Sequence, residues 1–96
     1  MDVRATSDFL SWIDGLKDRR GRARILVRID RLAHGNAGDS RILKGGIAEL
    51  RIDAGPGYRV YYAQRGSVLT LLAGGDKSSQ AKDIARATRL AKESRV

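Results

Sequence analysis

Ile47-Ala48-Glu49-Leu50-Arg51-Ile52-Asp53-Ala54, then Gly55-Pro56-Gly57, then Tyr58-Arg59-Val60-Tyr61-Tyr62-Ala63-Gln64, then Arg65-Gly66, then Ser67-Val68-Leu69-Thr70-Leu71-Leu72: this stretch decides the fold. Three apolar runs separated by two turn signals predict a β-meander. Side chains alternate along a strand, so Leu50 and Ile52 share one face while Glu49, Arg51 and Asp53 share the other. A loop of about three residues at Gly55-Pro56-Gly57 sets Ile52 opposite Val60 and Leu50 opposite Tyr62. On the other face it sets Arg51 beside Tyr61 and Asp53 beside Arg59. A loop of about four would turn an arginine into the core. Arg65-Gly66 as a two-residue turn then brings Leu69 to Tyr62, Leu71 to Val60 and Thr70 to Tyr61. The expected sheet has one apolar face, and two arginines and a tyrosine at the centre of the other. Tyr58 and Tyr62 belong to the core. Val68 and Leu72 are apolar on the second face too, so their strand is expected to be central and partly covered on both sides.

Before the meander come two helical patterns. Thr6 or Ser7 can cap the first, whose stripe is Phe9, Trp12, Ile13 and Leu16. Lys17-Asp18-Arg19-Arg20-Gly21 breaks the pattern. The second helix turns Ile25, Leu26, Ile29, Leu32 and Ala33 inward and ends at His34-Gly35, where a C-terminal glycine belongs. The pair reads as an antiparallel helix hairpin. The outer face of the second helix carries Arg20, Arg24, Arg28 and Arg31, either a track for a phosphate backbone or a solvated face. Ser40 to Lys44 reads as a short strand turned by Gly45-Gly46, which places Lys44 on the face of Arg51 and Arg59. After the meander, Gly74-Gly75-Asp76-Lys77-Ser78-Ser79 makes a tight turn into a last helix from about Ser79 to Glu93. Such a helix start can hold a phosphate. Ile84, Ala87, Thr88 and Ala91 form its narrow apolar stripe, ringed by Lys82, Arg86, Arg89 and Lys92. The expected class is therefore α+β, in one domain over residues 1–96.

The 96 residues carry a net charge of +8, from 19 Lys and Arg against 11 Asp and Glu. Such an excess favours a polyanionic partner: nucleic acid, an anionic membrane surface or an acidic protein. There is no cysteine, which excludes disulfides and thiolate metal sites, and one histidine makes no zinc site unaided. No cofactor or metal is expected. No run is apolar and long enough to cross a bilayer, and the first residues lack the apolar centre of a signal peptide. A cytoplasmic protein without membrane association is the expectation.

The order of these elements, with Gly35-Asn36-Ala37-Gly38-Asp39, Glu49-Leu50-Arg51-Ile52, Gly57-Tyr58-Arg59-Val60-Tyr61 and Gly74-Gly75-Asp76-Lys77-Ser78-Ser79-Gln80, resembles the RelE/ParE toxin superfamily. The nearest branch is the HigB-like addiction module killer proteins, and the resemblance spans about Phe9 to Ala91. It implies a RelE-like fold and the toxin of a bacterial type II toxin–antitoxin pair. Many members are metal-independent endoribonucleases that cut messenger RNA in the ribosomal decoding site; others poison DNA gyrase. The partners implied are mRNA and the ribosome, a cognate DNA-binding antitoxin of helix-turn-helix type, and operator DNA through that antitoxin. Residue by residue, the family's phosphate-gripping positions fall on Arg51, Arg59 and Lys77. The tyrosine or histidine that several ribonuclease members carry near the start of the last helix is absent. Asp83 is the acid of that region, and Glu49 ranks first as base because it lies on the Arg51 face. RNA contacts are expected from Lys44, Tyr61, the arginine stripe, Gln80 and Lys82. A gyrase-binding toxin, or a non-toxic partner that binds antitoxin and regulates its own operator, are the other readings.

Overall fold

The computed structural model describes residues 1–94; the single-domain expectation for 1–96 includes residues 95 and 96, which lie outside them. The chain runs β1 (Asp2–Ala5), α1 (Ser7–Asp14), α2 (Arg19–Ala33), β2 (Ser40–Ile42), β3 (Ala48–Ile52), β4 (Tyr58–Arg65), β5 (Val68–Asp76), a 3-10 turn (Lys77–Ser79) and α3 (Gln80–Glu93). It is α+β, with five strands in the order β1-β5-β4-β3-β2. All pairs are antiparallel except β1 with β5, which is parallel and joins Asp2 to Val68 through Ala5 to Leu71. No helix among the described residues is long and apolar enough to cross a membrane.

Both N-terminal helices start where a side chain can satisfy an orphan backbone N–H. Thr6 Oγ1 accepts from the Phe9 N–H at 3.1 Å, and Asp18 Oδ1 accepts from the Gly21 N–H at 3.0 Å. α2 ends at His34, followed by Gly35 at φ +91°. α1 packs on β5, and α2 on β3 and β4. Together they close one face of the sheet. That face is a single apolar cluster of Phe9, Ile13, Ile25, Ile29 and Leu32 against Leu50, Ile52, Tyr58, Val60, Tyr62, Leu69 and Leu71. Trp12 lies among them, its ring centroid 6.0 Å from Phe9 and 6.2 Å from Tyr58. Leu26 is a correction: it is 47% exposed, because the buried stripe of α2 runs through Ile25, Ile29 and Leu32 and leaves Leu26 and Val27 outside.

α3 closes the other face with small residues. Ala87 and Ala91 pack on Ile47, Tyr61, Ala63, Leu72 and Ala73, flanked by Leu43, Ile84 and Leu90. A bulge makes this possible. Tyr62 pairs with Leu71 but Tyr61 pairs with Ala73, so Leu72 is an extra residue in β5. Leu72 and Ala73 therefore both turn toward α3, and the alternation resumes with Gly74 toward Trp12 and Gly75 toward Asp83.

The expected faces hold but the expected partners do not. The β3–β4 loop is residues 53–57, and the pairs are Leu50 with Val60, Arg51 with Arg59, Glu49 with Tyr61 and Ile52 with Tyr58. The loop is longer than expected by two residues, which slides the register without exchanging the faces. The second turn is Gly66-Ser67, between Arg65 and Val68, so Leu69 meets Gln64 and Leu71 meets Tyr62. Gly74 and Gly75 are strand residues rather than a turn. Each leaves room for a side chain packed on the sheet, since a Cβ would overlap the Trp12 ring at Gly74 and the Asp83 carboxylate at Gly75.

Candidate functional site: a basic groove at the end of the sheet

Where β3 and β4 run out, Arg51, Arg59 and Lys77 line one groove with Asp39, Ile52, Asp53 and Gly57. The register delivers the first two: Arg51 and Arg59 are direct cross-strand neighbours. Like charges directly opposite on a sheet are destabilising, so this pairing needs a compensating anion. Lys77 enters from the 3-10 turn after β5, whose Gly75 pairs with Arg59. Asp76 caps that turn, accepting from the Ser78 backbone N–H at 2.8 Å and from the Ser78 hydroxyl. The Ser78 hydroxyl, then its backbone N–H, hold the Asp76 carboxyl below its ordinary pKa, and the charge of Arg59 adds to this.

The arginines are held differently. Arg51 donates from both Nε (3.2 Å) and Nη2 (2.9 Å) to Asp39 Oδ1. Arg59 donates from Nη1 to the Gly57 carbonyl at 2.6 Å, while its Nε is buried and has no hydrogen-bond partner among the described residues. Lys77 is exposed and has no ion-pair partner among the described residues.

Glu49, Tyr61 and Asp83 are corrections. Glu49 is wholly buried beneath α3. Its Oε2 accepts from Tyr61 Oη at 3.1 Å and Gln80 Nε2 at 2.8 Å, and Oε1 meets Arg41 Nη2 at 3.2 Å. A buried carboxylate satisfied on three sides is a structural anchor, and it has no path to a substrate hydroxyl. Tyr61 is equally buried, so it stacks on no base; burial first, then the Glu49 charge, push its phenol pKa far up. Asp83 is 4% exposed and accepts from Ser79 Oγ at 2.5 Å. Its carboxylate lies in the first turn of α3, bonded to the hydroxyl of the N-cap Ser79, near where the sequence suggested room for a phosphate. Gln80 is half-buried and committed to Glu49.

Lys44 is a further correction. β2 ends at Ile42 and Leu43 bonds back to Ile47, so Lys44 opens an exposed turn whose next residue lies against Thr88 rather than beside Arg51. The cation on the Glu49 face is Arg41 instead. Within the arginine stripe, Arg28 turns inward. Its Nη1 donates to the Arg51 carbonyl at 2.6 Å, and its Nη2 to the carbonyls of Ala37 (3.0 Å) and Asp39 (3.2 Å). Arg20, Arg24 and Arg31 are exposed on α2, and Lys82 on α3. Arg24, Arg31 and exposed Val27 line a second depression together with Ile52 and Asp53.

Behind the groove, Tyr58 Oη donates to Asp18 Oδ2 at 2.8 Å. Burial, then this bond, push the Tyr58 pKa up to about 12. Asp18 is held below its ordinary value, first by the Gly21 N–H and then by Tyr58. The sequence reading missed Asp39 as a groove residue. The signal for it is the pairing of Ser40 with Leu50, which puts the preceding residue next to Arg51.

No protein-family model matches the chain. It is 50% identical over 94 residues to an uncharacterized protein of Haemophilus influenzae, an alignment that covers 97% of this chain and 95% of that one.

Proposed function

We propose that this chain, which belongs to one family with that Haemophilus influenzae protein, is the toxin of a type II toxin–antitoxin pair. In this reading it is a metal-independent endoribonuclease of mRNA on the ribosome, RelE-like in fold, with its two N-terminal helices acting as one hairpin. The observation that carries the reading is the groove itself: two arginines opposed across a strand pair, with a lysine beside them. A phosphodiester can bridge the two arginines, taking the place of the Asp39 carboxylate on Arg51. A guanidinium can bind two phosphoryl oxygens at once, and Lys77 adds a point charge from the loop.

Cleavage would follow from attack of a 2′-hydroxyl on the adjacent phosphorus as the bond from phosphorus to the 5′ oxygen breaks, that oxygen taking a proton from water, which leaves a 2′,3′-cyclic phosphate and a 5′-hydroxyl end. The groove holds the phosphate in line and offsets the charge that grows on its oxygens. With Glu49 and Asp83 buried, the carboxylate in the groove without an ion pair among the described residues is Asp53. It is the group positioned to take the 2′-hydroxyl proton. Neutralisation follows if a DNA-binding antitoxin covers the groove with an acidic or apolar segment. Action on ribosomes puts the protein in the cytoplasm.

The burial of Glu49 and Asp83 favours a second reading. A gyrase-binding toxin needs a basic surface and no acid–base pair. Mapping RNA 5′ ends after brief induction, wild type against Arg59→Ala, separates the two. New cuts inside translated codons that vanish in the variant support the ribonuclease. Intact messages in arrested cells transfer the site to gyrase, and growth without arrest leaves an antitoxin-binding partner. Loss of one phosphate donor is expected to lower cleavage by about a hundredfold.

A further inference from the structure

Asp39 has no role in the chemistry just described, yet it sits on the cation best shaped for a phosphate. We infer that Asp39 is a specificity-determining residue of the groove: its carboxylate occupies the Arg51 fork and competes with a phosphodiester for it. The inference rests on reading the groove as a phosphate site.

Two observations make the contact more than a passing surface pair. Both Nε and Nη2 of Arg51 converge on one oxygen, Asp39 Oδ1, which is the edge a phosphate would take. The backbone beneath Asp39 is also fixed from two directions. The Arg51 N–H donates to the Asp39 carbonyl at 2.9 Å, and Arg28 bonds the carbonyls of Ala37, Asp39 and Arg51 together. Arg28 is thus a positioning residue that holds the competitor in place. The exchange itself is open: the side chains of Arg51 and Asp39 are 42% and 56% exposed. When a phosphate oxygen replaces Oδ1, the Asp39 carboxylate gives up its two hydrogen bonds from Arg51 and turns to water, with no covalent bond made or broken. Arg59 feels the charge of the Asp76 carboxylate but makes no ion pair with it, and Lys77 makes none among the described residues. The resting groove therefore offers two cations, and the third is released only to a ligand that already engages the others.

The test is binding of a fluorescein-labelled single-stranded RNA hexamer, 2′-O-methylated throughout so that it cannot be cleaved. Anisotropy is read over a range of salt concentrations for the full chain and for Asp39→Asn, Asp53→Asn and Arg59→Ala, each shown to be folded by its thermal melt. Asp39→Asn is expected to bind about fivefold tighter, the upper end for releasing an exposed ion pair. Its log K against log salt should steepen by about 0.7, one more single-strand phosphate neutralised. Asp53→Asn removes the same charge from the same groove without touching the Arg51 fork, and should gain less than about twofold. Equal gains in the two variants would reduce the effect to bulk charge and overturn the inference. Weaker binding by Asp39→Asn would make Asp39 an organiser of Arg51 and overturn it too, leaving the phosphate site standing. If Arg59→Ala binds as wild type does, or no form binds, the groove is not a phosphate site and both readings fall.

Discussion

On the face covered by α1 and α2, the strands turn inward Leu50, Ile52, Val60, Leu69 and Leu71, with Tyr58 and Tyr62 beside them. On the face covered by α3, the same strands turn inward Glu49, Tyr61, Leu72 and Ala73, and the helix answers with Ala87 and Ala91. The first face is wide, made of large side chains, and needs no directional bonds. The second is narrow and is held by a buried carboxylate with three partners. Alternation lets one strand serve both. Leu50 builds the apolar core while its neighbours Glu49 and Arg51 fix α3 and line the groove. The division teaches that burial on one side stabilises a sheet whose other side spends some of its area on polar and charged groups.

The strongest way to break this comparison is to hollow the first face. Leu50→Ala should cost about 3 kcal/mol in urea unfolding, since a fully buried leucine leaves both lost transfer energy and a cavity. A cost below about 1 kcal/mol would mean that the face relaxes and is not the main source of stability. On the second face, Glu49→Leu should cost about 2 kcal/mol, because Tyr61 Oη and Gln80 Nε2 lose their acceptor. Adding Tyr61→Phe should recover part of that loss in a double-mutant cycle, and strict additivity would show that no network exists.

Adjacent glycines sharpen the contrast. Gly74→Ala drives a methyl into the indole of Trp12, which is packed with Phe9 and Tyr58, and should cost about 1–3 kcal/mol by thermal melt. Gly75→Ala meets the carboxylate end of the buried Asp83 side chain, which shifts only by giving up its Ser79 bond, and should cost less than displacing the indole. Equal costs would erase the difference in rigidity between the faces. The smallest effect is one of pH. Asp18 has its folded pKa lowered below the ordinary 3.8, so its contribution is present above that value and is lost as pH falls through the lower folded one. The gap in melting temperature between wild type and Asp18→Asn should therefore be present at neutral pH and close in strong acid. A gap that widened in acid would reverse the assigned sign.

The faces were legible because the apolar period of two survives any register slip of two residues, which is the slip the longer β3–β4 loop produced. That is why Leu50, Ile52 and Val60 were placed correctly while their partners were not. β1 was illegible: Asp2-Val3-Arg4-Ala5 is exposed throughout and carries no buried period, and only pairing with β5 makes it a strand. The bulge at Leu72 has no local signature in a run of apolar residues. Of the candidate site, Arg51, Arg59 and Lys77 did meet, since alternation and the turn after β5 fix them. Lys44 did not, because the turn before β3 begins earlier than its glycines imply. Helical spacing placed Arg28 on a face with Arg24 and Arg31, but it cannot tell a solvated guanidinium from one that reaches back to three carbonyls. Alternation likewise put Glu49 and Tyr61 with the arginines and could not show that α3 ends their shared exposure.

The parallel pairing of β1 with β5 has a consequence in time. β1 is made before the other described elements, and five of them, α1, α2, β2, β3 and β4, are made between it and its partner strand. Thr6 waits for the carbonyl of Leu72, 66 positions downstream. Contacts of such long sequence separation form late, after the cost of closing the loop has been met. The last lysine of the groove, Lys77, follows β5 directly. The emerging chain therefore has no groove to offer until its sheet can close. On the toxin reading, a protein that silences ribosomes is harmless to the one that is making it.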